Sequence, residues 1–317
     1  MLENQLSRYG AIAKALPLMS PGAKVFFLAP SSAAWFGDFQ HEFPPDKQGF
    51  VRVHTTIASV ISNGGVVANR GDVVLALPGY TETLTAVQSL TVAGVSWIGV
   101  GDGGLKPTIT VNGAVHGIAL SANNVLFKNF NFAAPATDAA LSMVRIDDDC
   151  TGCTIEDVSG IGSNAANNFV HCIRIGIRAH NHTLKNIRLT TSKALAVTAF
   201  LHFDGVVSIS NIGGFYAVGS VATAGIMDAT GAAIYNAIWN NMFVAVGGAG
   251  SLPALTIDGT GGPGSNGIVT NCHFAGTHTT LASNASFAGD WRLSDVYLNE
   301  ATGNASQAAL IPAADTD

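Results

Sequence analysis

The apolar positions of this 317-residue chain recur in a motif that neither a helix nor a flat strand explains. In NNVLFKNFNF, residues 123–132, the apolar residues are Val125, Phe127, Phe130 and Phe132. Alternation with period two marks a half-buried strand. Here two residues separate Phe127 from Phe130, and Asn129 stands in the slip. The slip recurs in VSWIGVG from Val95, CTIEDVSG from Cys153, HTLKNIRL from His182 and VSISNIGG from Val207. It continues in AIWNNMFV from Ala237, GIVTNCHF from Gly267 and WRLSDVYL from Trp291. The fifth position reads Gly99, Asn129, Asp157, Asn186, Asn211, Asn241, Asn271 and Asp295, at intervals of 24 to 30 residues. The third position is always large and apolar.

A period near 30 leaves no room for a βαβ unit with its loops, and the intervening segments carry no 3.6-residue apolar pattern. The pattern predicts an all-β chain folded as a right-handed parallel β-helix, one coil per repeat. Eight coils at about 4.8 Å each make a rod of roughly 38 Å. The slip is then a bend between two strands of a coil. Asn tolerates positive φ there, and its amide can bond backbone groups freed by the bend. Stacked amides predict a ladder of Asn129, Asp157, Asn186, Asn211, Asn241, Asn271 and Asp295 on the inside of the corner. The two aspartates need donor neighbours to take part.

A solenoid needs capped ends. TTIASVIS, with Ile57, Val60 and Ile61 on one side, predicts a short capping helix. GDVVLALPGYTETL follows, a buried strand ending in a Pro-Gly turn. Its Gly71, Asp72, Pro78, Gly79, Tyr80, Thr81 and Glu82 resemble the N-terminal cap and first coil of pectin-lyase-like β-helix proteins. Upstream stand KVFFLAP and the aromatic-rich SSAAWFGDFQHEFPPDKQG. The order of KVFF strand, aromatic linker, short helix and GDVVLALPG, over about residues 24–135, resembles small β-helix proteins encoded among tailed-phage virion structural genes. The expected division is an N-terminal arm at 1–49, a cap and first coil at 50–90, coils at 91–300 and a tail at 301–317.

Composition changes the picture in one respect. Charged residues are 11%, against roughly 25% in an ordinary soluble domain. With 48% apolar residues and a mean hydropathy of +0.33, this points to surface covered by partners. No apolar run reaches the roughly 18 residues of a membrane span. The net charge of −6 and the lack of a basic patch argue against nucleic acid. The first twenty residues lack the charged and apolar regions of a signal peptide. Cys150 and Cys153 form a lone CxxC with no second ligand pair, so buried thiols are expected and no metal.

Candidate chemistry concentrates in RIDDDC, residues 145–150, and RIGIRA, residues 174–179. Stacking the repeats sets Arg145 on Arg174, Asp147 on Gly176 and Asp149 on Arg178. As a catalytic set, Asp147 and Asp149 would be an acid pair roughly 7 Å apart, with Arg174 and Arg178 beside them. As structure, Asp149 and Arg178 are a cross-coil ion pair. The next coil, Ala199 to Phe203, adds no carboxylate. His182 falls in an inward register, as a hydrogen-bonded core histidine. GTGGPGSNG, residues 259–267, reads as a loop. No HExxH, GxSxG or Walker-type motif occurs, and no cofactor is expected. Trp35, Phe36, Phe39 and Phe43 form either a lid on the first coil or an anchor onto a partner.

The phage-like resemblance, the low charge and the missing catalytic constellation imply a non-enzymatic structural protein of a phage virion. The expected form is a trimeric capsid decoration or cement protein, partnered by its own copies and by the major capsid protein. The competing expectation is a tailspike or tail-fibre-like protein that binds or cleaves polysaccharide. A minor tail or baseplate component is a third.

Overall fold

The computed structural model describes residues 22–133, 140–162, 169–191, 197–247, 252–257, 265–277, 285–287, 289–299 and 309–310. The chain forms a parallel β-solenoid of about eight turns. Each full coil contributes strands to three columns. Column I runs through Ser96–Gly99, Leu126–Lys128, Thr154–Glu156 and onward. Column II runs through Thr108–Val111, Asn131–Ala133 and Ser159–Gly162. Column III is a separate eight-stranded sheet, from Gln88–Leu90 through His116–Leu120, Ala140–Ile146, Phe169–Ile175 and Ala199–Phe203 to Ala285–Phe287. In the later coils columns I and II merge into single bent strands such as His182–Thr191.

Parallel strand pairing sets the register of the repeat. Trp97 lies beside Phe127, Phe127 beside Ile155, Ile155 beside Leu184, and Trp239 beside Val269. These residues are buried in one continuous core. Phe127 and Phe130 flank the bend of their coil and stack with ring centroids 4.4 Å apart. The slip in alternation therefore keeps both rings inside.

Two expectations about the corner need correction. First, Leu184 pairs with Ile212 and Ile187 with Phe215, so Asn186 stands opposite Gly214. Asn211 pairs with Thr183 on the outer face of column I and is not a corner residue. The true intervals here are 28 and 27 residues instead of 25 and 30. Gly214 has φ +66°, and glycine takes that conformation without steric cost. The asparagine three residues earlier in VSISNIGG mimicked the motif.

Second, the corner residues do not sit inside. Asn129 and Asp157 are half-buried, while Asn186, Asn241, Asn271 and Asp295 are exposed. All six have φ between 49° and 63°. Asn129 Nδ2 donates to Gly99 O and Gly101 O at 2.9 and 3.0 Å. A Cβ on Gly99 would collide with the Asn129 carbonyl oxygen, so that first position is glycine for space. Asn186 Nδ2 donates to Asp157 Oδ1 at 3.1 Å, and Asn271 Nδ2 to Asn241 Oδ1 at 2.6 Å. The amide ladder thus runs on the outside in two short pieces, interrupted at Gly214.

A second row of left-handed residues precedes the first by five positions: Gly94, Asn124, Gly152, Asn181, Ile209 and Asn236, with φ from 51° to 71°. The column I strands from Leu126–Lys128 to Ala237–Asn240 are bracketed by a left-handed residue at both ends. Ile209 is the exception in type, a β-branched residue at φ +55°, where side-chain sterics cost about 1–2 kcal/mol.

At the N-terminal end, Val25–Leu28 pairs in parallel with Val73–Ala76 and Val53–His54. The KVFF segment is thus a rung of the solenoid, and the arm expected to end at residue 49 is already part of the rod from Val25. Helix α1 (Phe36–Glu42) lies over this rung. Phe39 is buried, and its ring meets Phe27 at 5.0 Å, Phe43 at 4.8 Å and Trp35 at 5.6 Å. With Phe36 these rings cover a second, smaller core. Helix α2 (Ile57–Ser62) is N-capped by Thr56, whose hydroxyl accepts from Ser59 N. The Glu82 carboxylate accepts from Ile57 N at 3.1 Å and from the buried Tyr80 hydroxyl. Asp72, fully buried, accepts from Lys24 N, Val67 N and the Arg70 guanidinium. The cap-like motif therefore works as a clasp between the Val25–Leu28 rung, helix α2 and the first coil.

Two expected outcomes follow from this packing. Ile209→Asn raises the urea unfolding midpoint, by about 1 kcal/mol of stability; a lower midpoint contradicts the strain. Asp72→Ala leaves the Arg70 charge and two backbone donors without their partner, and lowers stability by about 3–5 kcal/mol in the same assay.

Candidate functional site

Arg145 and Arg174 lie on column III strands, while Asp147, Asp149 and Arg178 lie past the ends of those strands and not on one strand face. Arg145 pairs with Arg174 in register, and Arg174 with His202. The expected set nevertheless separates into pairs. Arg178 and Asp149 form a two-point ion pair at a corner, with Nη2 to Oδ2 at 2.9 Å, and both are largely exposed. Each has positive φ, so the corner turns them outward together. The Arg178 guanidinium holds the Asp149 carboxyl below its ordinary range. Asp147 pairs with Arg145 at 2.8 Å and accepts from Ser121 Oγ. Each of the two carboxylates is tied to a different arginine, so they do not face one another as an acid pair.

Arg174 does not serve either aspartate. It donates to Asp204 at 2.6 and 2.7 Å. Asp204 stands one residue beyond the stretch read as lacking carboxylates, which is the reason it was missed. Its pKa is lowered. Burial, the largest single effect, opposes that direction, and the His202 and Arg174 hydrogen bonds outweigh it. His202 Nδ1 lies 2.8 Å from Asp204 Oδ1, and the His202 ring stacks on His171 at 4.3 Å. His116 Nδ1 lies 2.8 Å from the buried Ser142 Oγ. Burial, then the neighbouring imidazole and arginine, push His171 down to about 4. This surface is a set of ion pairs and hydrogen-bonded pairs spread over four coils, in which Arg145 Nε is buried beside Asp147 without a well-formed hydrogen bond.

His182 is fully buried. Its Nδ1 lies 3.3 Å from Ala179 O, a distance and partner that make it the donor. Nε2 then accepts from Ser210 Oγ at 3.0 Å, and Trp239 Nε1 donates to the same oxygen at 3.2 Å. The chain Trp239, Ser210, His182 spans three successive coils. Burial lowers the His182 pKa to about 4.

Column II carries a second feature that the repeat did not reveal. Tyr216, Phe243, His273 and Tyr297 follow one another in register on its outer side. Tyr216 and Phe243 stack at 5.3 Å and 13°, and the Arg188 guanidinium lies over Tyr216 at 5.3 Å. The Tyr216 and Phe243 faces turn toward each other along the rod, and the His273 ring is tilted at 57° to Phe243 with centroids 4.9 Å apart. Only the second residue after each corner in the later repeats carried this signal.

The bend between columns I and II holds two grooves of mixed polar and apolar lining. One, of about 580 Å³, is lined by Lys106, Lys128, Asn129, Asp157, Ser159 and Arg188 among others. The next, of about 470 Å³, continues past Lys185, Asn186, Asn211 and Asn241.

Cys150, Cys153, Cys172 and Cys272 are free and buried, and burial raises all four thiols. Among the described residues no group of three His, Cys, Asp or Glu could hold a metal ion. No helix among the described residues is long and apolar enough to cross a membrane. Most of GTGGPGSNG and of the tail lies outside the described residues, although Ala309–Leu310 pairs antiparallel with Gly289–Asn299. No family model, curated protein or solved structure matches the chain.

The depressed histidines set a pH dependence. The unfolded chain takes up a proton on each near pH 6.5 and the folded chain only near 4. Stability is therefore full above pH 6.5 and falls as pH drops toward 4, by roughly 3 kcal/mol for one such histidine. Urea unfolding of wild type and His182→Gln at pH 7.5 and 4.5 checks this. The variant is less stable at pH 7.5 and loses less on acidification; equal losses would remove His182 as the source.

Proposed function

We propose that the chain is a non-enzymatic structural component of a phage virion, a decoration protein that works as a trimer on the capsid shell. The N-terminal resemblance points to virions. The observation that carries the structural reading is the state of the rod's C-terminal half. Residues 205–289 contain no lysine or arginine, and only Asp228 and Asp258 among acidic residues. On the outer side of column I, Ile238 and Ile268 are strand partners with 50% and 43% of their surface exposed. An ordinary soluble surface is studded with charge. A flat, charge-free strand face with aligned isoleucines is self-complementary and suits packing against copies of itself. The N-terminal half, where the ion pairs cluster, remains free to meet solvent or the shell.

This reading also accounts for the column III charges, which pair with one another and leave no carboxylate poised for proton transfer. The polysaccharide-cleaving alternative would require one of them to be released.

Light scattering coupled to size exclusion should give a trimer for the wild type. Ile238→Glu with Ile268→Glu should give a monomer with unchanged far-UV circular dichroism. A monomeric wild type overturns the proposal. Quantitative mass spectrometry of virions then separates decoration, with many copies per particle, from a tail component with few.

A further inference from the structure

We infer that Ile209 anchors the contact between copies of this chain, at the centre of an aliphatic patch that joins the corner between columns III and I to the isoleucine face of column I. This rests on the self-association proposed above and names further residues that carry it.

Ile209 breaks the rule of its own row. The left-handed residue of the coil before it is Asn181, and that of the coil after it is Asn236. Asn181 and Ile209 make the same backbone contact: Asn181 N donates to Ser208 O and Ile209 N to Tyr235 O, both at 2.8 Å. The backbone here therefore favours asparagine or glycine. Among the described non-glycine residues with positive φ, Ile209 is the one aliphatic side chain. Burial does little to offset the strain, since Ile209 is 43% exposed. A strained residue kept at an exposed position marks a role that the isolated fold does not need.

The neighbours of Ile209 indicate what it meets. Val206, three residues earlier in the same corner, is exposed, and so is Ile177 on the coil before. These two adjoin each other: Arg178 N donates to Val206 O at 2.8 Å, and a Cβ on Gly205 would meet Ile177 Cγ1 at 2.9 Å. On the other side, Ser208 pairs with Tyr235, which sets Ile209 opposite Asn236. Ile238 stands two residues further along that coil, about 8 Å from Ile209. Ile268 is the strand partner of Ile238. Ile177, Val206, Ile209, Ile238 and Ile268 thus form one diagonal patch over four coils. All five are β-branched and stiff at χ1, so little rotamer freedom is lost when a partner covers them. The Asp149–Arg178 ion pair adjoins Ile177 at one end, and Arg292, the strand partner of Ile268, stands at the other. An apolar centre within a polar rim is the anatomy of a protein–protein contact.

The occupant is a second copy of the chain. The patch is continuous with the Ile238 and Ile268 face, so a copy seated on those two residues reaches Ile209 within one coil. Arg178 and Asp149 neutralise each other and leave little for an ionic ligand to hold. Ser210–Ser220 and Ala237–Asn240 are paired on both sides, so no peptide can add to them as a further strand.

Sedimentation velocity of the full chain over a dilution series, with far-UV circular dichroism, tests this. The wild type is expected to associate. Ile209→Asn installs the residue of the flanking coils, so the corner is kept, and it raises the dissociation constant about tenfold or more with an unchanged spectrum. At dilutions where both are monomeric, Ile209→Asn is the more stable in urea, which separates a lost contact from a lost fold. Ile177→Ser weakens association in the same direction and reads the patch independently of the corner. Ile209→Val keeps most of the association, and Leu105→Ser, which removes an exposed leucine elsewhere, changes nothing. A monomeric wild type overturns the inference together with the proposal on which it rests. An associating wild type whose Ile209→Asn variant associates as tightly overturns the inference alone. So does a Leu105→Ser effect as large as that of Ile209→Asn.

Discussion

The left-handed residue at the bend is the constraint on which the rest of this structure depends. A strand that ran straight on would carry its apolar side chains out of the core within one coil. A single residue with φ near +55° turns the chain and resets its phase, so that Phe127 and Phe130 both face inward. The cost of that conformation falls mainly on residues without a compensating local hydrogen bond. Asparagine, aspartate and glycine therefore fill the corners, and Ile209 is the one β-branched residue among them. The corner amides act where they are useful, on neighbouring backbone and on each other, and they do so from the outside. Their position is a consequence of the bend: the residues on either side claim the interior, and the corner side chain has no room there.

The fold was legible in the sequence because the repeat combines two independent signals, an inward apolar pair and a corner residue at fixed offset. Where both were present the register was recovered to the residue, as with Trp97, Phe127, Ile155 and Leu184. It failed at Val207–Gly214, where Asn211 supplied a false corner and Gly214 held the true one without an amide to mark it. The second corner row was visible as an asparagine five residues before the first, in Asn124, Asn181 and Asn236. The glycines that alternate with these hid the column.

The surface chemistry was less accessible. Asp149 with Arg178 was readable because the pair sits in register one coil apart. Arg174 with Asp204 was not, because the arginine reaches diagonally to a residue past the end of the facing strand. Long side chains choose partners over a radius larger than one rung, so stacking alone does not assign them. The aromatic file on column II and the bend grooves are likewise properties of neighbouring coils and appear in no single repeat.

The buried chain from Trp239 through Ser210 to His182 has a meaning beyond local packing. Rungs of a solenoid resemble one another, so the natural error is to stack on the wrong neighbour with a coil looped out. Apolar residues tolerate that error, since one isoleucine fills much the same space as the next. A donor, a relay and an acceptor placed one to a rung do not tolerate it. Skipping the middle rung strands an indole N–H and an imidazole nitrogen away from water. The three polar atoms thus act as a counting device, distinguishing the coils of His182, Ser210 and Trp239 from their neighbours in a core that is otherwise nearly uniform.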